Sequence, residues 1–294
     1  MAETGILYKL TTTAGTLRFN DLTQDACYLL SAVNDLESPA VRMSQRDKPG
    51  RPGVVLGNAF EGAITPSIEG VIVFRTIEER QELQRVLLLH ASAMLGEDAT
   101  LAWRPRLSAD ERQLTVRLAA QPNIAGGVIK AFQLPMIAAS PFIESTTESQ
   151  QYTTYLDTGT GSGGLSFNLT FPFSFNFSSS PATATVTNAG ELDAYPTIQI
   201  FGPITSPVIR NLTTGKRLGL TSTIAAGDFV EISMKNETVF LNGSSSSPLL
   251  SVLDVSTSDW WSLASGVNNV QLDGTSANNT TTRAFFKWRN TYAS

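Results

Sequence analysis

The stretch YPTIQIFGPITSPVIRNLTTGKRLGL, residues 195–220, alternates apolar and polar side chains with a period of two. Only a pleated strand converts that period into one dry face and one wet face. Ile198 and Ile200 fall on one side, Gln199 and Phe201 on the other. Gly202-Pro203 interrupts, a second apolar run begins at Pro207, and Thr214-Gly215 turns the chain. The same alternation returns in DFVEISM, where Val230, Ile232 and Met234 oppose Phe229, Glu231 and Ser233. ETVFLNG ends in Asn242-Gly243, a pair suited to a tight turn. NNVQLDG and RAFFKWRN continue the pattern, and GLSFNLTFPFSFNF would place Phe167, Leu169, Phe171, Phe173, Phe175 and Phe177 on one face. Short strands separated by turns over ~120–150 residues predict a β-sandwich.

The first half reads differently. Near residue 145 the chain passes from Arg and long aliphatic runs to Ser, Thr, Asn, Gly and Phe. Thr76 and Glu79 have the spacing of a capping box, which predicts a helix over 76–95. Leu83, Leu87, His90 and Met94 share a face, joined by Val86 and Leu89, and Gly96 is a natural stop. EGVIVFR, TLAWRP, QLTVRLAA and GGVIKAFQLPMI read as flanking strands. The expected fold is mainly β with one helix. An α+β domain covers 1–145, a linker 146–164 and a β-sandwich 165–294.

The sequence holds little recognisable chemistry. Its 294 residues carry a net charge of −5, without the basic excess of a nucleic-acid binder. One Cys and one His exclude an intrachain disulfide and a zinc site built from several such ligands. A Cys27–His90 dyad has no local signature; a buried thiol and a packed, hydrogen-bonded His90 are the expected fates. GTGSGG at 159–164 satisfies G-x-G-x-x-G but precedes an aromatic strand pattern with Pro172 inside it, so no helix receives a phosphate. Asp228, Glu231, Glu237, Asp254 and Asp259 offer carboxylates without a pairing signature. No apolar run reaches the ~18–20 residues of a membrane span. The N-terminus MAETGILYKL has no signal-peptide pattern, so a soluble chain made in a cytoplasm is expected. No enzyme activity, cofactor or metal is expected.

Two features invite binding hypotheses. VRMSQRDKPGRPGVVLG carries Arg42, Arg46, Lys48 and Arg51 among Pro and Gly residues. It reads as a solvated loop, or as an arm that orders against a partner or a polyanion. Trp260-Trp261 suits either a sugar-stacking platform or one core Trp beside one at the rim, and Tyr195 joins them as a candidate glycan contact.

Residues 186–234 carry Asn188 and Gly190, Tyr195-Pro196, Ile198, Ile200, Gly202-Pro203, Asn211, Thr213-Thr214-Gly215 and Gly227-Asp228 in one order. That order resembles the β-sandwich segment of the distal tail protein (Dit) family of bacteriophages with long, non-contractile tails. WWSLASGVNNVQL is similar to that family's closing segment. In the first half, a basic Pro/Gly-rich loop before GAITPSIEGVIVF, and FQLPMIAASPFIES at the domain passage, resemble its layout, with Ser140-Pro141 replacing the usual Asp-Pro. The resemblance implies a virion protein made in the host cytoplasm. It implies a homo-hexameric ring formed by the first domain, with a galectin-like sandwich projecting outwards. Tail tube, tape measure and tail-tip or baseplate hub proteins are the implied partners. Genome DNA would pass through the channel without specific binding, and the sandwich can take a host-surface saccharide in some relatives. Arg42, Arg46, Lys48 and Arg51 then become an assembly element.

Overall fold

The computed structural model describes residues 6–36, 39–106, 108–127, 129–158 and 180–293. The GTGSGG segment and the Phe167–Phe177 run lie outside them. The chain divides into two units, Met1–Thr146 with Tyr292–Ser294, and Thr147–Thr291. It is mainly β, and Ile77–Ala93 is the α-helix of the described residues.

In the first unit, Arg112–Leu118, Ala99–Trp103, Tyr8–Thr12, Gly15–Phe19, Cys27–Asn34, Ser67–Val73 and Lys130–Ile137 are neighbours in that order. Lys130–Ile137 also pairs back onto Arg112–Leu118 through Met136 with Leu118 and Ile137 with Arg117, so the sheet closes on itself. Every pairing in this ring is antiparallel except Gly15–Phe19 with Cys27–Asn34. Inward residues alternate as the pleat requires: Leu114 and Val116, Ile68 and Ile72, Leu134 and Met136 are all buried. They pack with Phe19, Tyr28 and Phe132, whose ring centroids lie 5.7–6.0 Å apart.

The helix begins as its sequence dictates. Thr76 Oγ1 accepts from the Glu79 N–H at 3.2 Å, and Glu79 Oε2 accepts from the N–H groups of Thr76 at 3.2 Å and Arg75 at 2.8 Å. These backbone donors hold the Glu79 carboxyl below its ordinary pKa, Arg75 contributing most. The buried face is Leu87, His90, Ala91 and Met94, with Leu83 and Val86 packed against the core. Leu89 departs from expectation and is exposed with Leu88, because at 3.6 residues per turn the two point about 200° and 100° away from Leu87. Gly96 ends the segment at φ +83°.

The second unit contains two five-stranded antiparallel sheets around one core. One sheet orders Ser149–Tyr152, Ala284–Trp288, Thr197–Phe201, Phe229–Ser233 and Thr238–Leu241. The other orders Ala182–Asn188, Gly266–Thr275, Ile204–Asn211 and Lys216–Gly219, with Thr223–Ile224 on the flank of Ile204–Asn211. Ile198, Ile200, Val230, Ile232 and Phe286 from the first meet Val186, Ile209, Leu218, Val270 and Leu272 from the second. The strand after Gly202-Pro203 begins at Ile204, ahead of Pro207, and absorbs a register shift between Thr205 and Val208. Gly202 permits the corner: a Cβ there would collide with the Ala225 carbonyl oxygen.

The linker expected over 146–164 is corrected within the described residues. Ser149–Tyr152 is an edge strand on Ala284–Trp288, and Leu156 is buried in the core. Its polar sequence concealed it, since an edge strand needs pairing more than apolar alternation.

Candidate functional sites: an exposed hairpin and a clamped tryptophan segment

The basic segment is not a loop. Val41–Asp47 and Val54–Glu61 form an antiparallel hairpin, paired only with each other among the described residues. Val41, Val54 and Val55, with Met43, Leu56 and Phe60, supply extended-chain preference, while Pro49-Gly50 and Pro52-Gly53 make the turn. Gly50 at φ +68° and Gly53 at φ +100° adopt backbone that other residues rarely enter, and the Lys48 backbone N–H donates to the Gly53 carbonyl at 3.2 Å. Every residue of both strands is exposed, including Val41 at 68% and Phe60 at 62%. Arg42 and Arg46 lie on the first strand, Lys48 and Arg51 in the turn. None of the four forms an ion pair among the described residues.

In the second unit, Ala194 exchanges backbone hydrogen bonds with Leu263 at 2.9 and 2.7 Å, which sets Tyr195 and the Trp260–Ser262 segment on adjoining stretches. Trp261 is 1% exposed and packs near Phe286 at 6.5 Å, so as a glycan contact it is corrected: no face of its ring reaches solvent. Trp260 is partly buried against the core and Tyr195 is 38% exposed.

Three fully buried asparagines hold this segment. Asn188 Nδ2 donates to the Leu192 carbonyl at 2.8 Å and to the Leu263 carbonyl at 3.1 Å, and its Oδ1 accepts from the Gly190 N–H at 3.0 Å. Asn211 Nδ2 donates to the Ser262 carbonyl at 3.2 Å. Asn268 Nδ2 donates to the carbonyls of Ala264 at 2.8 Å and Gly266 at 3.2 Å, and its Oδ1 accepts from the Ala264 N–H. Each buried amide bonds the backbone of the segments around it, so its own donors and acceptor are satisfied. Gly190 lies so close to the backbone of Thr291 that a Cβ would collide with it. The Asn188-x-Gly190 pattern is therefore a folding requirement.

Among the remaining candidates, His90 and three of the five carboxylates are locally engaged. His90 Nδ1 bonds Thr12 Oγ1 at 2.8 Å, and burial lowers its pKa. Burial, and then the Asp21 charge, raise the Cys27 pKa, which disfavours a thiolate. Asp228 accepts from Asn242, Glu231 from Gln199, and Asp254 from Thr257 and Ser256. Among the described residues no cluster of His, Cys, Asp and Glu is arranged to hold a metal ion. None of their helices is long and apolar enough to cross a membrane.

Residues 189–292 match the family described as siphovirus-type tail component, C-terminal domain. That match covers the second unit's closing two thirds, and it is the C-terminal domain of such tail components that this part of the chain resembles. The chain's fold is that of the distal tail proteins: it resembles the crystal structure of SPP1 Dit, described as a paradigm of hub adsorption apparatus in phages infecting Gram-positive hosts. The two are 16% identical, with 97% of this chain and 98% of that chain covered at a TM-score of 0.58. A chain of the phage P2 baseplate in its activated conformation with Ca is 13% identical, over 97% of this chain and 98% of that chain, at a TM-score of 0.49. No curated protein sequence matches the chain.

Proposed function

We propose that this protein is a tail-hub adaptor: a homo-hexameric ring, built by the first unit, that joins the tail tube to the tail tip or baseplate around a genome channel. The observation that carries the reading is the Dit fold extending over both units of the chain, together with the tail-component domain at 189–292. The hairpin is the assembly element. A two-stranded sheet alone is marginal in water, and this one exposes Val41, Val55, Leu56 and Phe60. A cyclic ring repeats one heterologous interface, and stable interfaces bury about 1,200–2,000 Å² each, an area to which a projecting hairpin can contribute. Tail tube, tape measure and tip proteins are its neighbours, DNA passes without sequence-specific contact, and the galectin-like second unit serves as a docking surface.

Native mass spectrometry or electron microscopy of the purified protein tests this: six copies in a ring are expected. Replacing Arg42, Arg46, Lys48 and Arg51 with Ala is expected to leave the circular dichroism spectrum intact and abolish the ring. Normal rings from that variant would remove the hairpin from the assembly. A saccharide role through Tyr195 and Trp260 is tested separately, on a glycan array with both residues changed to Ala.

A further inference from the structure

On strand Ala284–Trp288 the side chains of Ala284, Phe286 and Trp288 enter the core, while Phe285 and Lys287 lie on the other face. Arg283, two residues before Phe285, continues that row, and the register places Tyr152 opposite Phe285. The result is a column of rings and cations. Tyr152 stacks on Phe285 with centroids 4.1 Å apart and an interplanar angle of 19°. The Arg283 guanidinium lies 4.0 Å from the Tyr152 ring and 5.1 Å from the Tyr155 ring, and Lys287 Nζ lies 5.3 Å from Phe285. Tyr152 and Tyr155 are 41% and 42% exposed. Among the described residues neither Arg283 nor Lys287 has a side-chain hydrogen bond or an ion pair.

The rings hold these charges in place without neutralising them, because a cation over an aromatic face keeps its N–H donors. A guanidinium fixed by flanking rings loses little freedom when its planar fork meets a carboxylate. We propose that this column is a docking site for an acidic polypeptide segment of another protein, with a Glu or Asp carboxylate seated on Arg283 and Lys287 as the supporting charge. Charge complementarity selects the partner, and Arg with Tyr is the pairing that anchors protein interfaces. A sugar is disfavoured, because the Tyr152 ring is already engaged by Phe285 and Arg283 and Phe285 is only 7% exposed. The proposal stands independently of ring formation.

The test is fluorescence anisotropy of a fluorescein-labelled hexaglutamate peptide with the full-length protein, at low and high salt. Saturable binding that weakens with salt is expected. Arg283→Gln is expected to lower affinity about tenfold, and Arg283→Lys, which keeps the charge but not the fork, by a similar factor. Lys287→Gln is expected to cost about threefold, and Lys216→Gln on the other sheet to change nothing. Arg283→Lys and Lys287→Gln keep the test decisive should Arg283→Gln misfold. Absence of peptide binding by the unaltered protein would overturn the proposal. So would equal binding by the folded Arg283 variants, or tighter binding of oligogalacturonate than of the peptide.

Discussion

Asn188→Ala should unfold the second unit at a distinctly lower temperature while leaving the first alone. The side chain is fully buried and makes three hydrogen bonds to backbone, to Gly190, Leu192 and Leu263. Truncation strands the buried Gly190 N–H, at a cost of about 1–3 kcal/mol, and removes two further bonds worth about 0.5–1.5 kcal/mol each. The Leu263 carbonyl keeps the Ala194 N–H, which moderates the second loss. A total of about 3 kcal/mol corresponds to a drop of roughly 6–12 °C for a unit of this size. Differential scanning calorimetry of the full chain, with hydrogen exchange to assign each transition, reads the effect directly. Asn188→Asp should do no better at neutral pH, because it keeps the acceptor for Gly190 but loses both donors and buries a charge. A shift below about 2 °C for Asn188→Ala would refute the reasoning, since even one stranded N–H exceeds that.

Tyr292→Ala should destabilise the first unit by about 3–5 kcal/mol, as for other large buried aromatic residues. Its ring is buried in that core, lies 4.4 Å from the Arg112 guanidinium, and its hydroxyl bonds Asp110 at 3.2 Å. Urea titration followed by fluorescence checks it. Thr76→Ala should lower stability by about 1 kcal/mol through loss of the helix cap, measured in the same titration. Glu79 has a lowered folded pKa, so its contribution is complete above the unfolded value near ~4.3 and fades as pH falls through the folded one. The melting difference between the unaltered chain and Glu79→Gln should therefore be present at neutral pH and vanish in acid. Phe60→Ser should change monomer stability by no more than about 0.5 kcal/mol while weakening assembly, read by sedimentation velocity.

The fold was legible wherever side-chain period and burial coincide. Ile198, Ile200, Val230, Ile232 and Met234 are buried as their alternation requires, and Thr76 with Glu79 starts the helix. Two elements escaped for opposite reasons. Ser149–Tyr152 is an edge strand whose stabilisation comes from its neighbour Phe285, a partner more than a hundred residues away that no local window contains. Val41–Glu61 is a hairpin exposed on both faces, so it carries no in–out pattern, and its Pro and Gly residues read as loop. The asparagine clamp had a signal in Asn188-x-Gly190, but spacing could not say which carbonyls the amides reach. The Arg283 column was invisible for the same reason: it exists only once cross-strand register brings Tyr152 onto Phe285.

The backbone passes between the units twice, after Thr146 and again after Thr291. One consequence concerns cleavage. A protease cut after Thr291 leaves the units covalently joined through Thr146, whereas a cut after Thr146 leaves residues 1–146 held to the rest only by the packing of Tyr292 in their core. A second concerns dissection. A gene fragment stopped after Thr146 encodes a first unit without Tyr292, one of its own core residues. The second unit is thus, in genetic terms, an insertion near the end of the first, and the first can be recovered whole only by replacing residues 147–291 with a bridge.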